Sequence, residues 1–284
     1  MKGIVLAGGT GTRLFPMTTS INKHLLPIYD KPMIYYPLSI LMGIKIKDIL
    51  LIIRKKDYSL YEELLGDGSN FGVNISYAFQ EHPKGIADAL KIGKKFIKKD
   101  NFALILGDNI FFGDDLFQKI KACKKNNGAT IFTYPVSDPK RFGIANIKEN
   151  VVKNFIEKPK NPKSNLAVTG LYFYDKEVFN FIKKISPSMR GELEITDINN
   201  LYLKQKKINH ISLSRGITWL DAGTSDSIIE ASQLIKTIQN RQGFKIGCLE
   251  EISYNNGWIN KNKIYEISNK FKNDYGNYLK NIIS

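Results

Sequence analysis

In the first half of this 284-residue chain, short apolar runs with high β-propensity alternate with longer stretches of helical periodicity. This alternation predicts crossover units, and therefore an α/β fold with a mainly parallel or mixed central sheet flanked by helices. In such a sheet, ligands bind beyond the carboxyl ends of the strands. The predicted strands are Gly3–Ala7, Ile49–Ile53, Asn74–Ala78, Ala103–Leu106 and Thr130–Tyr134. The predicted helices are Pro32–Met42, Ile86–Ile97 and Asp115–Lys125.

The second part of the chain is less regular. Thr224 is placed to cap a helix that runs to about Asn240. No low-complexity linker divides the chain, so we expect one core over residues 1–240 and a helical segment over residues 241–284. Further strands are predicted at Ile144–Ile147, Val152–Ile156, Leu171–Tyr174, Ile208–Leu213 and Trp219–Asp221. Aromatic residues that look exposed follow at Tyr254, Trp258, Tyr275 and Tyr278.

A glycine-rich loop, Gly8-Gly9-Thr10-Gly11-Thr12-Arg13, follows the first predicted strand. Glycine allows positive φ and a close approach of the backbone, so N–H groups can converge on phosphate oxygens. Arg13 adds a planar fork of donors that suits a phosphate. The loop lacks the Gly-Lys-Ser/Thr of a Walker A motif, and Leu14 replaces the third glycine of a dinucleotide fingerprint. A plain glycine turn remains the alternative.

Two aspartates follow predicted strands at distant points of the chain. Asp108 comes after the apolar run Phe102–Leu106 and a glycine, and Asp221 ends the run that begins at Ile217. Carboxylates at strand ends suit a magnesium ion that itself contacts phosphates. An aspartate that caps a turn is the structural alternative.

The chain is strongly basic, with 42 Lys and Arg against 27 Asp and Glu and a formal net charge of +15. Only six of the basic residues are Arg, and the lysines are spread along the chain without a groove-reading or zinc-finger motif. We therefore expect no nucleic-acid partner. A basic surface can still attract a polyanionic nucleotide.

Cysteine content and hydropathy indicate a reducing compartment and no membrane. Cys123 and Cys248 cannot form a disulfide framework and lack metal-ligand spacing, so we expect reduced thiols in a cytoplasmic protein. The first apolar run is short and leads into the glycine loop, so no signal peptide is expected. No segment reaches the roughly 20 apolar residues of a membrane span.

Several motifs in the same order resemble those of sugar-1-phosphate nucleotidylyltransferases. The glycine loop ending in Arg13, followed by Lys23 and Pro27, carries the first resemblance. The segments Tyr29–Ser39, Leu65–Ser69, Gly107–Asn109, Val168–Asp175 and Arg190–Asp197 narrow it to the glucose-1-phosphate thymidylyltransferases, and the match runs from Lys2 to about Leu279. The resemblance implies a Rossmann-like fold and transfer of dTMP from dTTP to α-D-glucose 1-phosphate. The products are dTDP-glucose, a precursor of dTDP-deoxysugars such as dTDP-rhamnose, and pyrophosphate.

The resemblance also implies a nucleotide site. Gln80 offers the donor and acceptors that the edge of thymine or uracil requires, and Gly85 lets the backbone approach the base. By resemblance Lys23 contacts the nucleotide phosphates, and a solvated surface lysine is the alternative interpretation. His24 replaces the Gln that usually follows this lysine. The implied nucleotide-binding residues are Gly8, Gly9, Gly11, Thr12, Arg13, Lys23, Gln80, Gly85 and Asp108.

The sugar phosphate is implied to contact Gly143, Glu157, Lys158 and Val168. Glu157 would accept hydrogen bonds from sugar hydroxyls and Lys158 would orient the phosphate, whereas a surface salt bridge is the alternative for this pair. Phe142 stands where the family often has Tyr, and the usual acidic residue shortly after it is absent around Asn146. A different sugar 1-phosphate, or UTP in place of dTTP, therefore stays open.

The resemblance implies that Arg13, Lys158 and Asp108 are the catalytic residues. It also implies that Asp108 and Asp221 together bind Mg²⁺. The family further implies a homotetramer with a feedback site for a dTDP-sugar near subunit contacts, and Ile246–Tyr254 keeps the family pattern there. The alternative to an enzyme is a protein of the same fold that binds a nucleotide sugar without turning it over. The intact charged residues argue against it, because binding alone does not need both carboxylates.

Overall fold

The computed structural model describes residues 1–82, 84–123, 127–149 and 151–284. Within these residues thirteen strands are present: β1 Lys2–Ala7, β2 Pro27–Ile28, β3 Lys31–Pro32, β4 Asp48–Ile53, β5 Asn74–Phe79, β6 Phe102–Leu106, β7 Asn109–Gly113, β8 Ala129–Pro135, β9 Gly143–Lys148, β10 Val151–Glu157, β11 Leu166–Tyr174, β12 Ile208–Ser212 and β13 Ile217–Asp221. Nine of them form one sheet in the order β10-β9-β11-β6-β1-β4-β5, with β8 beside β11 and β12 beside β8.

The sheet is mixed, as the sequence predicts. Strands β6, β1, β4 and β5 are parallel neighbours, whereas β11 joins β6 antiparallel and continues into β9 and β10. Leu6 of β1 lies beside Leu106 of β6, so the glycine loop and the turn at Gly107 leave the sheet at the same edge. The predicted placement of both segments at one rim is confirmed.

Ten α-helices surround the sheets in the described part of the chain: α1 Tyr35–Gly43, α2 Tyr58–Leu65, α3 Ile86–Ile97, α4 Leu116–Ala122, α5 Val178–Phe181, α6 Ile195–Lys204, α7 Ser225–Gln242, α8 Leu249–Asn255, α9 Lys261–Ser268 and α10 Asp274–Asn281. Helix α3 has the predicted bounds. Helix α1 begins three residues later than predicted, because Lys31 and Pro32 pair with β2. Of the predicted helix after Asp115, Lys124 and Lys125 lie outside the described residues.

Helix α7 begins where the sequence predicts. The Thr224 hydroxyl accepts a hydrogen bond from the Ser227 backbone N–H, and the Ser227 hydroxyl accepts one from the Thr224 N–H. This reciprocal capping box satisfies two N–H groups that would otherwise lack partners. The cap residue lies three residues after Asp221, so the helix begins close to the point where the chain leaves the sheet edge.

A two-stranded antiparallel sheet, β7 with β13, was not predicted. Its register places Asp221 opposite Asn109, the residue that follows Asp108. The Ala222 backbone N–H also donates to the Asp108 carbonyl at 2.9 Å. This small sheet therefore brings together two aspartates that are far apart in the sequence.

The C-terminal helices cover the core, and the aromatic residues expected to be exposed there are partly buried. Leu249 of α8 is 1% exposed and packs into the main apolar cluster. The hydroxyl of Tyr275 donates to Glu250 at 2.6 Å, and that of Tyr278 donates to Glu251 at 2.7 Å. Both rings are partly covered because they pack against a small apolar cluster that includes Ile264 and Leu279. None of the helices in the described residues combines the length and the apolar character needed to cross a membrane.

Candidate active site

Two adjoining cavities open at the carboxyl edge of the sheet, with volumes of about 210 and about 240 Å³. Ile86, Leu106 and Asp108 line both, so the cavities share a wall. Of the predicted site residues, the first cavity contains Gly8, Gly9, Lys23, Gln80, Gly85 and Asp108. The second contains Arg13, Asp108, Gly143, Glu157, Lys158, Val168 and Asp221.

Gly11 and Thr12 line neither cavity. Gly11 has φ +69°, a conformation that favours glycine, and its carbonyl accepts a hydrogen bond from the Thr18 hydroxyl at 2.7 Å. Thr12 is exposed at the start of a short 3₁₀ turn. In this structure these two residues shape the loop, while Gly8 and Gly9 face the cavity.

The first cavity needs its glycines for space. A Cβ on Gly8 would lie 2.7 Å from the Gln80 side-chain oxygen, so a larger residue there would shift the end of this side chain away from the loop. Gly85 has φ +101° and packs against the backbone of Leu193, whose N–H donates to the Lys84 carbonyl at 2.8 Å. Pro83 of the predicted base-reading loop lies outside the described residues.

His24 lies under this cavity as a neutral side chain. Burial, together with the neighbouring Lys23 ammonium, lowers the pKa of His24 to about 3. Its Nδ1 is 2.8 Å from the Asn22 side-chain oxygen, which can only accept, so Nδ1 carries the proton. The ring edge faces Gly107, where a Cβ would lie 2.7 Å from the ring. His24 therefore supports the turn that presents Asp108.

Asp108 forms an ion pair with Lys23, and the two side chains are 14% and 12% exposed. Burial alone would raise the pKa of Asp108, but the Lys23 ammonium and hydrogen bonds from Lys23 and Asn109 lower it well below its usual range. The carboxylate is therefore ionised at neutral pH and available to a cation.

Asn109 joins the two sides of the site and is 2% exposed. Its side-chain oxygen accepts hydrogen bonds from the Trp219 indole at 2.6 Å and from the Gly170 backbone N–H at 2.9 Å. Its amide nitrogen donates to Asp108 at 3.0 Å. A Cβ on Gly170 would lie 2.5 Å from the same oxygen, so this contact requires glycine. One amide therefore fixes strands β11 and β13 relative to the Asp108 carboxylate.

Asp221 ends β13 on the wall of the second cavity, where Arg141 forms an ion pair with it at 3.0 Å. Burial and the negative charge of Asp108 raise the pKa of Asp221, although Arg141 and Arg13 oppose the shift. A Cβ on Gly223 would lie 3.1 Å from the Arg13 guanidinium. Arg13 therefore lies on the Asp221 side of the site, and its role toward a nucleotide stays a prediction.

Glu157 ends β10 and Lys158 follows it, at the far side of the second cavity. Glu157 accepts a hydrogen bond from the Thr196 hydroxyl at 2.5 Å and lies 3.4 Å from Arg190. Burial and the Glu194 charge raise its pKa. Lys158 has φ +40°, and its backbone N–H donates to the Phe142 carbonyl at 3.0 Å. The loop after β10 is thus tied back to the start of β9.

Gly143 and Val168 complete this wall. A Cβ on Gly143 would lie 3.1 Å from a Glu157 carboxylate oxygen and 3.2 Å from the Thr196 hydroxyl, so glycine leaves the carboxylate room. The pairing of β11 with β8 shifts register after Val168, and this irregularity frees the Gly170 N–H for Asn109. Both predicted residues therefore lie on the cavity wall, and their contacts with a sugar stay predictions.

Comparison with known proteins agrees with this geometry. Residues 2–238 match the model of the nucleotidyl transferase family. The chain belongs to the nucleotidyl transferase family. It is 51% identical over 282 residues to the glucose-1-phosphate thymidylyltransferase of Neisseria meningitidis, covering 98% of each chain, and 46% identical over 281 residues to that of Mycobacterium tuberculosis, with the same coverage. These identities place this nucleotidyl transferase among the glucose-1-phosphate thymidylyltransferases.

Solved structures are similar in fold. A glucose-1-phosphate thymidylyltransferase structure from Bacillus anthracis, in complex with a sucrose, is 46% identical with a TM-score of 0.77, covering 82% of this chain and 94% of that chain. A UDP-glucose pyrophosphorylase complexed with UDP-glucose is 25% identical with a TM-score of 0.75, covering 84% and 98%. The Rossmann-like nucleotidyltransferase fold implied by the motifs is confirmed.

Several residues of this nucleotidyl transferase site were not singled out from the sequence. Arg190 and Asn109 stand inside motifs that carried the family resemblance, so a motif signal existed for them. Thr196 also lies inside such a motif, Arg190–Asp197. Arg141 and Trp219 had no distinguishing signal, because a basic residue before a strand and an aromatic residue inside a strand are common. They reach the site only through tertiary contacts.

The donor set fits Mg²⁺. Asp108 and Asp221 offer hard oxygen ligands on the wall of one cavity, and each lies beside a cation of the chain, Lys23 or Arg141. Across the described residues no group of three or more His, Cys, Asp and Glu side chains could hold a metal by itself. Two carboxylates suit an ion that keeps waters and takes its remaining ligands from phosphates.

Proposed function

We propose that this nucleotidyl transferase joins dTTP and α-D-glucose 1-phosphate to give dTDP-glucose and pyrophosphate. The observation that carries the proposal is the pair of adjoining cavities that share Asp108. Gln80 in the first suits a thymine edge, and Glu157 with Lys158 in the second suits a sugar phosphate. The high identity to proteins named for this activity over almost the whole chain supports the same conclusion.

The chemistry needs positioning and charge stabilisation. A sugar phosphate is already ionised at neutral pH, so its oxygen can attack the α-phosphorus of dTTP without a general base. Lys158 aims that oxygen, and Arg13 with the N–H groups of the glycine loop stabilises the leaving pyrophosphate. Mg²⁺ held by Asp108 and Asp221 would neutralise phosphate charge when bound. We propose a direct in-line displacement, since no residue of the described site is arranged as an activated nucleophile.

The substrate pair is tested by a matrix of nucleoside triphosphates against sugar 1-phosphates, scored by pyrophosphate release in Mg²⁺. We expect kcat/KM to be highest with dTTP and glucose 1-phosphate, because the Gln80 amide matches thymine and leaves groups unpaired with cytosine or a purine. An unmatched buried hydrogen bond costs about 1–3 kcal/mol, or roughly 5- to 150-fold in kcat/KM. Efficient use of CTP or GTP with poor use of dTTP would contradict the base assignment.

The same matrix separates two alternatives. UTP shares the edge that Gln80 would contact, and a UDP-glucose pyrophosphorylase has a similar fold, so a uridylyltransferase is the second candidate. Phe142 packs against Trp219 beside the second cavity, at a distance of 5.3 Å between ring centroids. It has no hydroxyl to donate to a sugar, unlike the Tyr that the family often has there. Another sugar 1-phosphate is therefore the other candidate substrate. A binding protein without turnover would release no pyrophosphate in any cell of the matrix.

For biological context we propose a cytoplasmic enzyme that supplies dTDP-sugars for cell-surface polysaccharide. Cys123 and Cys248 are free and buried, which supports a compartment where thiols stay reduced. A homotetramer with feedback inhibition by a dTDP-sugar at a separate site completes the proposal. The C-terminal helices remain the proposed location of subunit contacts.

The assembly is tested by sedimentation equilibrium, where we expect a mass of four subunits. Deletion of residues 247–284 would remove Leu249 and expose the core that it packs against, so a point substitution is the sharper variant. Tyr265 on α9 is 58% exposed, and Tyr265→Glu should weaken assembly by placing a charge in an apolar interface. Ile229→Glu on α7, where Ile229 is 54% exposed, is the matched control. A monomeric wild-type protein, or a Tyr265→Glu variant that stays tetrameric, would refute this placement.

A further inference from the structure

Both carboxylates assigned to the metal are already paired with cations of the chain itself. Asp108 is paired with Lys23, and Asp221 with Arg141 at 3.0 Å. Arg13 adds a third positive charge beside Asp221. A bare divalent cation that approaches this site therefore meets occupied carboxylates and like charge.

The two ion pairs differ in exposure. The Lys23 and Asp108 side chains are 12% and 14% exposed, whereas those of Arg141 and Asp221 are 38% and 24% exposed. Exposed ion pairs contribute little stability, so the Arg141 contact can be displaced at small cost. Arg141 ends a short 3₁₀ turn, Pro139–Arg141, next to the cavity, and its guanidinium lies 5.3 Å from the Phe142 ring. The guanidinium is itself exposed, so it can leave Asp221 without becoming an unpaired buried cation.

We propose that Arg141 is a displaceable counter-ion of Asp221, which keeps a divalent cation from binding until a nucleoside triphosphate brings it. The proposal rests on the proposed function, because it presupposes that Asp221 holds the metal. A free divalent cation is repelled by Arg13, Lys23 and Arg141, but its complex with a triphosphate carries net negative charge and is attracted by the same groups. The guanidinium released from Asp221 then faces the cavity lined by Lys158, where a phosphate is the next available anion.

The test is the affinity of the whole protein for Mn²⁺ alone, measured without nucleotide from the EPR signal of free Mn²⁺. A positive charge about 5 Å from a divalent cation disfavours it by about 10-fold in Kd even at the dielectric constant of water. We therefore expect Arg141→Ala and Arg141→Gln to lower the Kd for Mn²⁺ by about 10-fold. Lys140→Ala removes the same charge from the neighbouring exposed residue, which has no contact with Asp221, and should change Kd by less than about 3-fold.

A second substitution assigns the effect to Asp221. In the Arg141→Ala background, Asp221→Asn should abolish the gain in Mn²⁺ affinity. A gain that survives Asp221→Asn, an unchanged Kd in Arg141→Ala, or an equal gain in Lys140→Ala would each overturn the counter-ion proposal. These outcomes leave the proposed reaction intact, because the substrate matrix tests it separately. Thermal unfolding monitored by circular dichroism verifies that each variant is folded before its Kd is compared.

Discussion

Asp108→Asn is expected to lower turnover by at least about 100-fold, the order observed when a preorganised charge-stabilising group is removed. The substitution keeps the shape of the side chain and its contact with Asn109, but it removes the charge that would hold Mg²⁺. It also leaves the Lys23 ammonium, which is 12% exposed, without its anionic partner. The measurement is steady-state pyrophosphate release with saturating dTTP and glucose 1-phosphate in Mg²⁺.

Asp100→Asn is the matched control for this variant. Asp100 forms an ion pair with Lys2 at 3.2 Å, on the edge of the sheet opposite the cavities, and is 49% exposed. Asp100→Asn should leave turnover within about 2-fold of wild type, because an exposed ion pair contributes little. Activity of Asp108→Asn within about 3-fold of wild type, or full wild-type activity in excess chelator, would remove the metal role from Asp108.

Asn109→Ala is expected to reduce both stability and turnover. The substitution leaves the Trp219 indole N–H and the Gly170 backbone N–H without their acceptor, and each buried unsatisfied donor costs about 1–3 kcal/mol. Scanning calorimetry should therefore show a Tm lowered by at least about 5 °C. Turnover at a temperature where the variant is folded should fall by about 10-fold, because Asp108 loses a hydrogen bond that orients it.

Asn200→Ala separates these two effects. The Asn200 amide bonds the N–H and the carbonyl of Phe155 at 3.0 and 2.9 Å, on β10 and away from Asp108. This control should lower Tm without a comparable loss of turnover. If Asn109→Ala lost stability but kept wild-type kcat, Asn109 would be a structural residue with no role in positioning Asp108.

Local sequence patterns predicted the parts of this protein that depend on neighbouring residues. Short apolar runs with high β-propensity placed β1, β4, β5, β6 and β8, and helical periodicity placed α3 with its bounds. The Thr224 cap was found because an N-cap depends on a few consecutive residues. Glycines after strands placed both cavity-lining segments at one sheet edge, since parallel strands end on the same side.

Tertiary structure decided what these patterns do not encode. The pairing of β7 with β13 joins residues about a hundred positions apart, and only it places Asp221 opposite Asn109. Ion pairs such as Arg141 with Asp221 and hydrogen bonds such as Trp219 with Asn109 have no periodic signature, because each depends on a single long-range contact. The separation of the C-terminal segment at residue 240 stays a prediction, although Leu249 packs in the main core.

The sequence by itself therefore determined the α/β class, the edge of the sheet where the two cavities open, and many of the residues that line them. The reason is that burial periodicity and turn chemistry are local properties of the chain. The tertiary structure alone decided which charges face one another. It paired each predicted metal carboxylate with a cation of the chain, and it placed Arg13 beside Asp221, because electrostatic partners are chosen by proximity after the chain has folded.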